Sequence, residues 1–123
     1  MKTTFVITDD AIFMRTLLRR IIEQTEKYEV LAEASNGLEA IELAEKYKPD
    51  IITLDITMPQ MDGLQAVPEI LKVSPKTRVI MVSAMGQQGM VIEAIKLGAK
   101  DFIVKPFDKT RVCQSIENVM AME

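Results

Sequence analysis

The residues whose types and positions could do chemistry each stand just beyond the end of a short apolar segment of this sequence. They are Asp9 and Asp10 after the first segment, Asp55 after the third, Ser83 after the fourth and Lys105 after the fifth. Three carboxylates held within a few ångströms repel one another strongly, and they can persist together if a hard cation lies among them. Carboxylate oxygens with a few waters suit Mg²⁺, beside which Asp55 could attack a phosphoryl group as a nucleophile. Lys105 and the Ser83 hydroxyl would hold the other phosphoryl oxygens.

Five apolar segments predict the strands that position these residues. They are Phe5-Val6-Ile7, Val30-Leu31-Ala32, Ile51-Ile52-Thr53-Leu54, Val79-Ile80-Met81-Val82 and Phe102-Ile103-Val104. Most of them are β-branched and continuous, which is typical of strands that are buried on both faces. Helical periodicity fills the gaps, as where Met14, Leu17, Leu18 and Ile21 share one helix face. The alternation predicts an α/β fold with a five-stranded parallel sheet, helices on both faces and right-handed crossovers.

Local signals predict where several helices begin and end. Asn36, with Glu39 three residues later, and Asp108 are expected to cap helices at their amino ends, and Gly98 to close the fourth helix. Pro68 conflicts with the third helix, because proline removes a hydrogen bond outside the first turn. We therefore expect a late start or a kink in that helix. Ligands bind beyond the carboxyl ends of the strands in such sheets, where the candidate residues stand.

Composition narrows the class of protein. The 123 residues predict a single domain over residues 1–123. A net charge of −3 argues against a nucleic-acid binder that is held by phosphate contacts. The absence of histidine excludes Ser-His-Asp and Cys-His catalytic pairs and a histidine phosphoryl donor. The one cysteine, Cys113, fits a reducing compartment, and no apolar stretch approaches the roughly 18 residues of a membrane helix, so we expect a cytoplasmic protein.

Each candidate residue also has an ordinary structural explanation. Asp9 and Asp10 could simply begin a helix, where acidic residues favour the helix dipole, and Asp55 could belong to a turn. Ser83 could be a plain strand-end hydroxyl, and Lys105 a solvated charge. These explanations weaken together, because all the residues fall at strand ends that are expected to face one crevice.

Four motifs occur in an order and spacing typical of one family. They are Thr8-Asp9-Asp10, Asp55-Ile56-Thr57-Met58-Pro59-Gln60-Met61-Asp62-Gly63, Ser83-Ala84 and Phe102-Ile103-Val104-Lys105-Pro106-Phe107. With them the sequence resembles the receiver domain of two-component response regulators, from about Phe5 to the last helix. The run from Ser83 to Gln88, followed by Met90-Val91-Ile92, is most similar to the stand-alone chemotaxis regulators of that family.

The resemblance implies a fold and a role for each site residue. The fold would be a flavodoxin-like (βα)5 three-layer sandwich with sheet order 2-1-3-4-5, and Asp55 would accept the phosphoryl group. The Mg²⁺ ligands would be Asp10, Asp55 and the backbone carbonyl of Thr57, with Asp9 acting through a water. Ser83 and Phe102 would form the switch pair and Lys105 would bind the phosphoryl group, while the Lys105–Pro106 peptide bond would be cis.

The resemblance also implies a signalling protein rather than an enzyme, one that catalyses only its own aspartyl phosphorylation and dephosphorylation. Its partners would be a CheA-like sensor histidine kinase, a flagellar or archaellar motor switch or adaptor protein, and a phosphatase that acts on the phosphorylated form. We expect a monomer without nucleic-acid or membrane partners. The changed surface would comprise the fourth helix, the fifth strand and the fifth helix. Its contributors would include Met85, Gln87, Gln88, Met90 and Lys109.

Three other functions compete with this one. A single-domain phosphorelay shuttle would pass the phosphoryl group on to a histidine phosphotransfer protein. A haloacid-dehalogenase-type phosphatase needs a second aspartate where this chain has Thr57. A flavodoxin-like cofactor binder needs a glycine-rich phosphate loop where this chain has Asp9-Asp10. Within the receiver family, Phe102 stands where tyrosine is common, so a hydrogen bond from that ring cannot be part of the switch.

Overall fold

The computed structural model describes residues 2–84 and 88–122. Its strands are β1 (Thr3–Thr8), β2 (Tyr28–Ala34), β3 (Ile51–Leu54), β4 (Arg78–Ser83) and β5 (Asp101–Val104). Its helices are α1 (Ile12–Ile22), α2 (Gly37–Tyr47), α3 (Gly63–Val73), α4 (Gln88–Leu97) and α5 (Lys109–Met120). The predicted alternation of strand and helix is therefore confirmed. None of the helices in the described residues is both long and apolar enough to cross a membrane.

The five strands form one parallel sheet in the order β2-β1-β3-β4-β5. This is the flavodoxin-like order, with β2 at one edge as predicted. The register aligns Thr8 of β1 with Leu54 of β3, so the two strands end side by side. In the same way, Ser83 of β4 pairs with Val104 of β5. The residues that follow these strand ends are therefore brought to one edge of the sheet.

Two apolar cores cover the two faces of the sheet, because side chains alternate between the faces along each strand. Val6, Ile52 and Met81 face one core, which also contains buried residues of α2, α3 and α4. Ile7 and Ile80 face the other, which contains buried residues of α1 and α5. Complete burial of one such side chain stabilises the fold by about 1.5–3 kcal/mol. Packing against both faces thus fixes the strand ends that carry the site.

Several helix boundaries match the sequence signals. The Asn36 side chain accepts a hydrogen bond from the backbone N–H of Glu39, and that of Asp108 accepts one from Arg111. Gly98 follows α4 with a φ of 121°, a left-handed conformation that favours glycine. The predicted caps and the predicted end of α4 are confirmed.

The late start expected for α3 is wrong. The helix begins at Gly63, well before Pro68, which lies in its interior. A capping box holds the amino end, since Asp62 accepts from the Gln65 N–H and the Gln65 side chain accepts from the Asp62 N–H. Proline removes one hydrogen bond of the helix. The capping box and the burial of the apolar helix face against the sheet stabilise the helix in spite of this loss.

Candidate functional site

The turn between β1 and α1 holds Asp9 and Asp10 in different states. Asp9 is 1% exposed, and its Oδ1 accepts a hydrogen bond of 2.9 Å from the Ala11 N–H at the start of the helix. Its backbone N–H donates to the Ala34 carbonyl at the end of β2. Asp10 is exposed, and its carboxylate has no hydrogen bond or ion pair within residues 2–84 and 88–122. Asp9 is therefore fixed, while Asp10 keeps both carboxylate oxygens available.

Asp55 directly follows β3, the central strand of the sheet. It is 7% exposed, and its backbone N–H donates to the Thr8 carbonyl of β1. The loop after it folds back closely, because the Gly63 N–H donates to the Ile56 carbonyl at 2.9 Å. A side chain at Gly63 would collide with the Asp55 carbonyl oxygen, so only glycine permits this approach. The fold thus holds the Asp55 carboxylate at the carboxyl edge of the sheet.

The carboxylates of Asp9, Asp10 and Asp55 meet at this edge. One oxygen of each lies within 4.8 Å of the others. Lys105, just after β5, places its Nζ 2.6 Å from Oδ2 of Asp9 and 3.0 Å from Oδ2 of Asp55. Burial lowers the Lys105 pKa, but the hydrogen bonds and the negative charges of the two aspartates outweigh it, and the pKa is raised above its usual 10.5. Three carboxylates and one ammonium leave two negative charges.

The donor set fits a hard divalent cation. It consists of carboxylate oxygens, which Mg²⁺ prefers, and the +2 charge of that ion would balance the remainder. The unpartnered Asp10 carboxylate gives the ion a ligand that no other described group competes for. Thr57 lies exposed in the loop after Asp55, and the Lys105–Pro106 peptide bond is cis.

Ser83 and Phe102 lie on neighbouring strands and on the same face of the sheet. Phe102 pairs with Met81 across β4 and β5, and Ser83 stands two residues after Met81. Because residues two apart in a strand share a face, both side chains point towards the side of α2, α3 and α4. Ser83 is 1% and Phe102 7% exposed. The pair therefore links the site edge to the core beneath α4.

The residues expected at the output surface are only partly described. Met85 and Gln87 lie outside the described residues. Gln88 and Lys109 are exposed, and Met90 is half-buried.

Two features of the site were not found by sequence reasoning. Arg15 of α1 donates from Nη1 to the Asp9 carbonyl at 2.7 Å, a contact that no short motif signals. Ile12 and Phe13 are 69% and 72% exposed, next to the acidic cluster in the chain. Phe13 borders an open, mainly apolar groove of about 350 Å³, which Lys105 also lines. In the sequence, Ile12 and Phe13 lie outside the apolar face predicted for the first helix, and this position could have indicated their exposure.

Comparisons with known proteins agree on one family. The response regulator receiver domain matches residues 5–117. The chemotaxis protein CheY of Listeria monocytogenes is 58% identical over 112 residues, covering 91% of this chain and 93% of that protein. CheY of Thermotoga maritima is 56% identical, covering 93% of this chain and 94% of that protein. A chain of the CheX–CheY–BeF3–Mg²⁺ complex from Borrelia burgdorferi superposes with a TM-score of 0.92 at 36% identity, covering 97% of this chain and 90% of that one.

Proposed function

Since the chain belongs to the response regulator receiver family and is CheY-like, we propose that it is a phosphorylation-activated switch of a two-component system in chemotaxis. Asp55 accepts a phosphoryl group from a phosphohistidine of a CheA-like sensor kinase. The observation that carries this proposal is the meeting of three carboxylates and Lys105 at one edge of the sheet. The sensor kinase supplies the histidine that this chain lacks.

In the proposed transfer, a carboxylate oxygen of Asp55 attacks phosphorus, forming an O–P bond as the P–N bond to the donor imidazole breaks. Asp10, Asp55 and the Thr57 carbonyl would hold Mg²⁺, with Asp9 acting through a water. When bound, that ion would neutralise negative charge on the phosphoryl oxygens. Asp9 suits the indirect role, because its oxygens already accept from Ala11 and Lys105.

Lys105 and Ser83 provide the remaining phosphoryl contacts in this proposal. The Lys105 ammonium lies 3.0 Å from Asp55 and stays protonated at neutral pH, so it can bond a phosphoryl oxygen on that side chain. Ser83 ends β4 at the same edge of the sheet. The protein catalyses no reaction beyond its own aspartyl phosphorylation and dephosphorylation.

We infer a switch that runs from Ser83 to Phe102. Phosphorylation adds roughly −1.5 to −2 charge at Asp55. The Ser83 hydroxyl moves to bond the phosphoryl group, and the Phe102 ring fills the space that it leaves. Inverting a 1:99 equilibrium takes roughly 5.5 kcal/mol, which a few charge-assisted hydrogen bonds of roughly 1.5–3 kcal/mol each supply.

The output surface of this proposal consists of α4, β5 and α5. Ile92 and Ile95 of α4 and Val104 of β5 are each close to half exposed, which suits an apolar partner. That partner would be a flagellar or archaellar motor switch or adaptor protein. A phosphatase for the phosphorylated form is a further partner, and the Borrelia complex shows that CheY and CheX bind each other in that species.

We further propose that residues 1–123 act as one receiver domain, as a monomer in the cytoplasm and without nucleic-acid partners. The extent of the match with the Listeria and Thermotoga CheY proteins supports the single domain. The net charge of −3 supports the absence of nucleic acid from the partners.

Incubation with Mg²⁺ and acetyl phosphate, followed by intact mass measurement, tests the phosphoacceptor. The wild type should gain one phosphoryl group, and Asp55→Asn and a wild-type sample in EDTA should gain none. Modification of Asp55→Asn to the wild-type extent would overturn the proposal.

Ser83→Ala tests the switch separately from phosphorylation. The variant should still be phosphorylated, but beryllofluoride should no longer raise its affinity for the output partner. Measurement of partner binding with and without beryllofluoride decides this, and an enhancement equal to that of the wild type would disprove this version of the switch.

A phosphorelay shuttle is the second candidate. The apolar groove beside Lys105, with exposed Phe13 at its border, offers a docking surface for a phosphoryl donor or acceptor next to Asp55. The protein is phosphorylated with a radioactively labelled phosphoryl group and mixed with a histidine phosphotransfer protein. Rapid transfer of the labelled phosphoryl group to that protein would favour the shuttle. Retention of the phosphoryl group, together with binding of the output partner, favours the chemotaxis switch.

A further inference from the structure

The peptide group that joins the two aspartates of the β1–α1 turn is held by an arginine of the next helix. Arg15 Nη1 donates to the Asp9 carbonyl at 2.7 Å. That carbonyl belongs to the same planar unit as the N–H of Asp10. The orientation of this plane therefore sets the direction in which the Asp10 side chain leaves the backbone.

Arg15 is itself held from the other side. Its Nε donates to Oε1 of Glu33 in β2 at 3.0 Å, and the other oxygen of Glu33 accepts from Nη1 of Arg19 at 2.7 Å. The Arg15 side chain is 16% and that of Glu33 25% exposed, so the pair is largely shielded. The guanidinium plane is rigid, and two fixed acceptors define its position. The carbonyl of Asp9 is thus linked to the edge strand of the sheet.

Asp10 needs such external support. Asp9 is fixed by its bonds to Ala11, Ala34 and Lys105. The exposed Asp10 carboxylate, in contrast, has no partner in the part of the chain that the structure describes. No described contact fixes that carboxylate, so the direction in which the Asp10 side chain leaves the backbone depends on the peptide plane before it.

We propose that Arg15, held by Glu33, is a positioning residue that orients Asp10 for the divalent cation. Arg15 touches neither the reacting atoms nor a carboxylate of the cluster, and it acts through the Asp9 carbonyl. Glu33 also neutralises its charge, which keeps an uncompensated cation away from a site that attracts cations. This inference rests on the proposed function, because the cation is the one that serves phosphorylation.

The direction in which Arg15→Ala changes the Mg²⁺ affinity distinguishes a positioning role from a purely electrostatic one. If Arg15 acted only as a nearby positive charge, Arg15→Ala would tighten Mg²⁺ binding, since a repelling charge is lost. If it orients Asp10, Arg15→Ala weakens binding, by roughly the tenfold that is typical of groups supporting metal ligands. Glu33→Gln should also weaken binding, because it frees the Arg15 charge.

The experiment is a Mg²⁺ titration followed by amide NMR of the folded chain. Arg19→Ala is the matched control, since Arg19 also pairs with Glu33 but does not contact Asp9. It should keep the wild-type dissociation constant within about twofold. Arg15→Lys retains a cationic donor and should lie between the wild type and alanine. An unchanged or tighter constant in Arg15→Ala, or a weaker one in Arg15→Lys than in Arg15→Ala, would overturn the proposal.

A second measurement needs no metal. The Ala11 amide reports on the turn, because it donates to Oδ1 of Asp9. In EDTA its hydrogen exchange should be roughly fivefold faster in Arg15→Ala, as the loss of one hydrogen bond implies, and unchanged in Arg19→Ala. Equal exchange of this amide in Arg15→Ala and the wild type would refute the positioning role of Arg15 and leave the proposed function intact. A wild type that shows no saturable Mg²⁺ response would instead refute the proposed function.

Discussion

The two ends of the short strand β3 carry aspartates in opposite states. Before the strand, Oδ2 of Asp50 accepts from both the N–H and the hydroxyl of Thr4, and the Asp50 N–H donates back to that hydroxyl. After the strand, Asp55 shares one ammonium group, that of Lys105, with Asp9 and lies close to two other carboxylates. Fixed donors of the fold thus satisfy the Asp50 carboxylate. Around Asp55, in contrast, three carboxylates share a single ammonium group.

This difference shows why one aspartate is structural and the other a candidate for chemistry. A carboxylate whose charge is met by fixed donors stabilises the fold and has no need of a ligand. A crowded set of carboxylates lowers its energy by binding a cation. The residue type is the same, and the neighbours decide the role.

The largest expected effect is on cation binding at the crowded end. Asp10→Asn removes the exposed carboxylate, so the Mg²⁺ dissociation constant should rise by more than the roughly tenfold seen for supporting groups. In EDTA the same variant should melt at a higher temperature than the wild type, because one repelling charge is gone. Isothermal titration calorimetry and thermal unfolding measure the two effects. An unchanged dissociation constant would contradict the assignment of Asp10.

The second largest effect is expected on loss of the Lys105 ammonium, which Asp9 and Asp55 share. Lys105→Met leaves the buried Asp9 carboxylate without its charged partner, and the free energy of unfolding in EDTA should fall by about 1–3 kcal/mol. Mg²⁺ should restore more stability to this variant than to the wild type, because the ion neutralises the same carboxylates. Chemical denaturation with and without Mg²⁺ measures both, and equal stabilisation of the two proteins by Mg²⁺ would speak against a common site.

The pH dependence of this contribution has a definite sign. The pKa of Lys105 is raised above 10.5 in the folded protein, so its stabilisation is fully present below that pH. The contribution is lost as the pH rises through the folded pKa. The stability difference between the wild type and Lys105→Met in EDTA should therefore be constant from neutral pH to about 10 and then shrink. A difference that already disappears between pH 7 and 9 would contradict the ion pair.

The smallest effect concerns the two ends of β3 directly. Asp50→Asn weakens charge-assisted hydrogen bonds to Thr4 and should lower the free energy of unfolding by about 1 kcal/mol. Asp55→Asn should raise it in EDTA, because Lys105 keeps Asp9 as a partner while one repelling charge is lost. Urea denaturation of the matched pair measures both signs. Two variants that shift stability in the same direction would remove the contrast.

The fold was largely predictable because burial on both faces of the sheet leaves a clear sequence pattern. Continuous apolar strands and periodic helices gave the element order, and Asn36 and Asp108 gave two helix starts. The late start expected from Pro68 was wrong, since the local penalty of proline was weighed without the capping box and the packing that stabilise α3 from Gly63 onward. The Asp62–Gln65 capping box is itself a local signal of that helix start, and the packing of α3 against the sheet adds to it.

The candidate site was predictable to the extent that strand ends place residues on one edge. Asp9, Asp10, Asp55 and Lys105 were identified from their residue types and their positions after the strands, and the structure brings them together. The Arg15 contact was missed, because it depends on a side-chain conformation and on Glu33, which stands 18 residues away in the sequence. Spacing predicts which residues share an edge, and not which backbone carbonyl an arginine reaches.

Diffraction from crystals grown with beryllofluoride and Mn²⁺ in place of Mg²⁺ tests the central claim most directly. The account predicts one anomalous peak bound by the carboxylates of Asp10 and Asp55 and by the Thr57 carbonyl, close to the roughly 2.0–2.1 Å that Mg²⁺ takes, with beryllofluoride on the Asp55 carboxylate. A peak held by other residues, or beryllofluoride on another carboxylate, would contradict it.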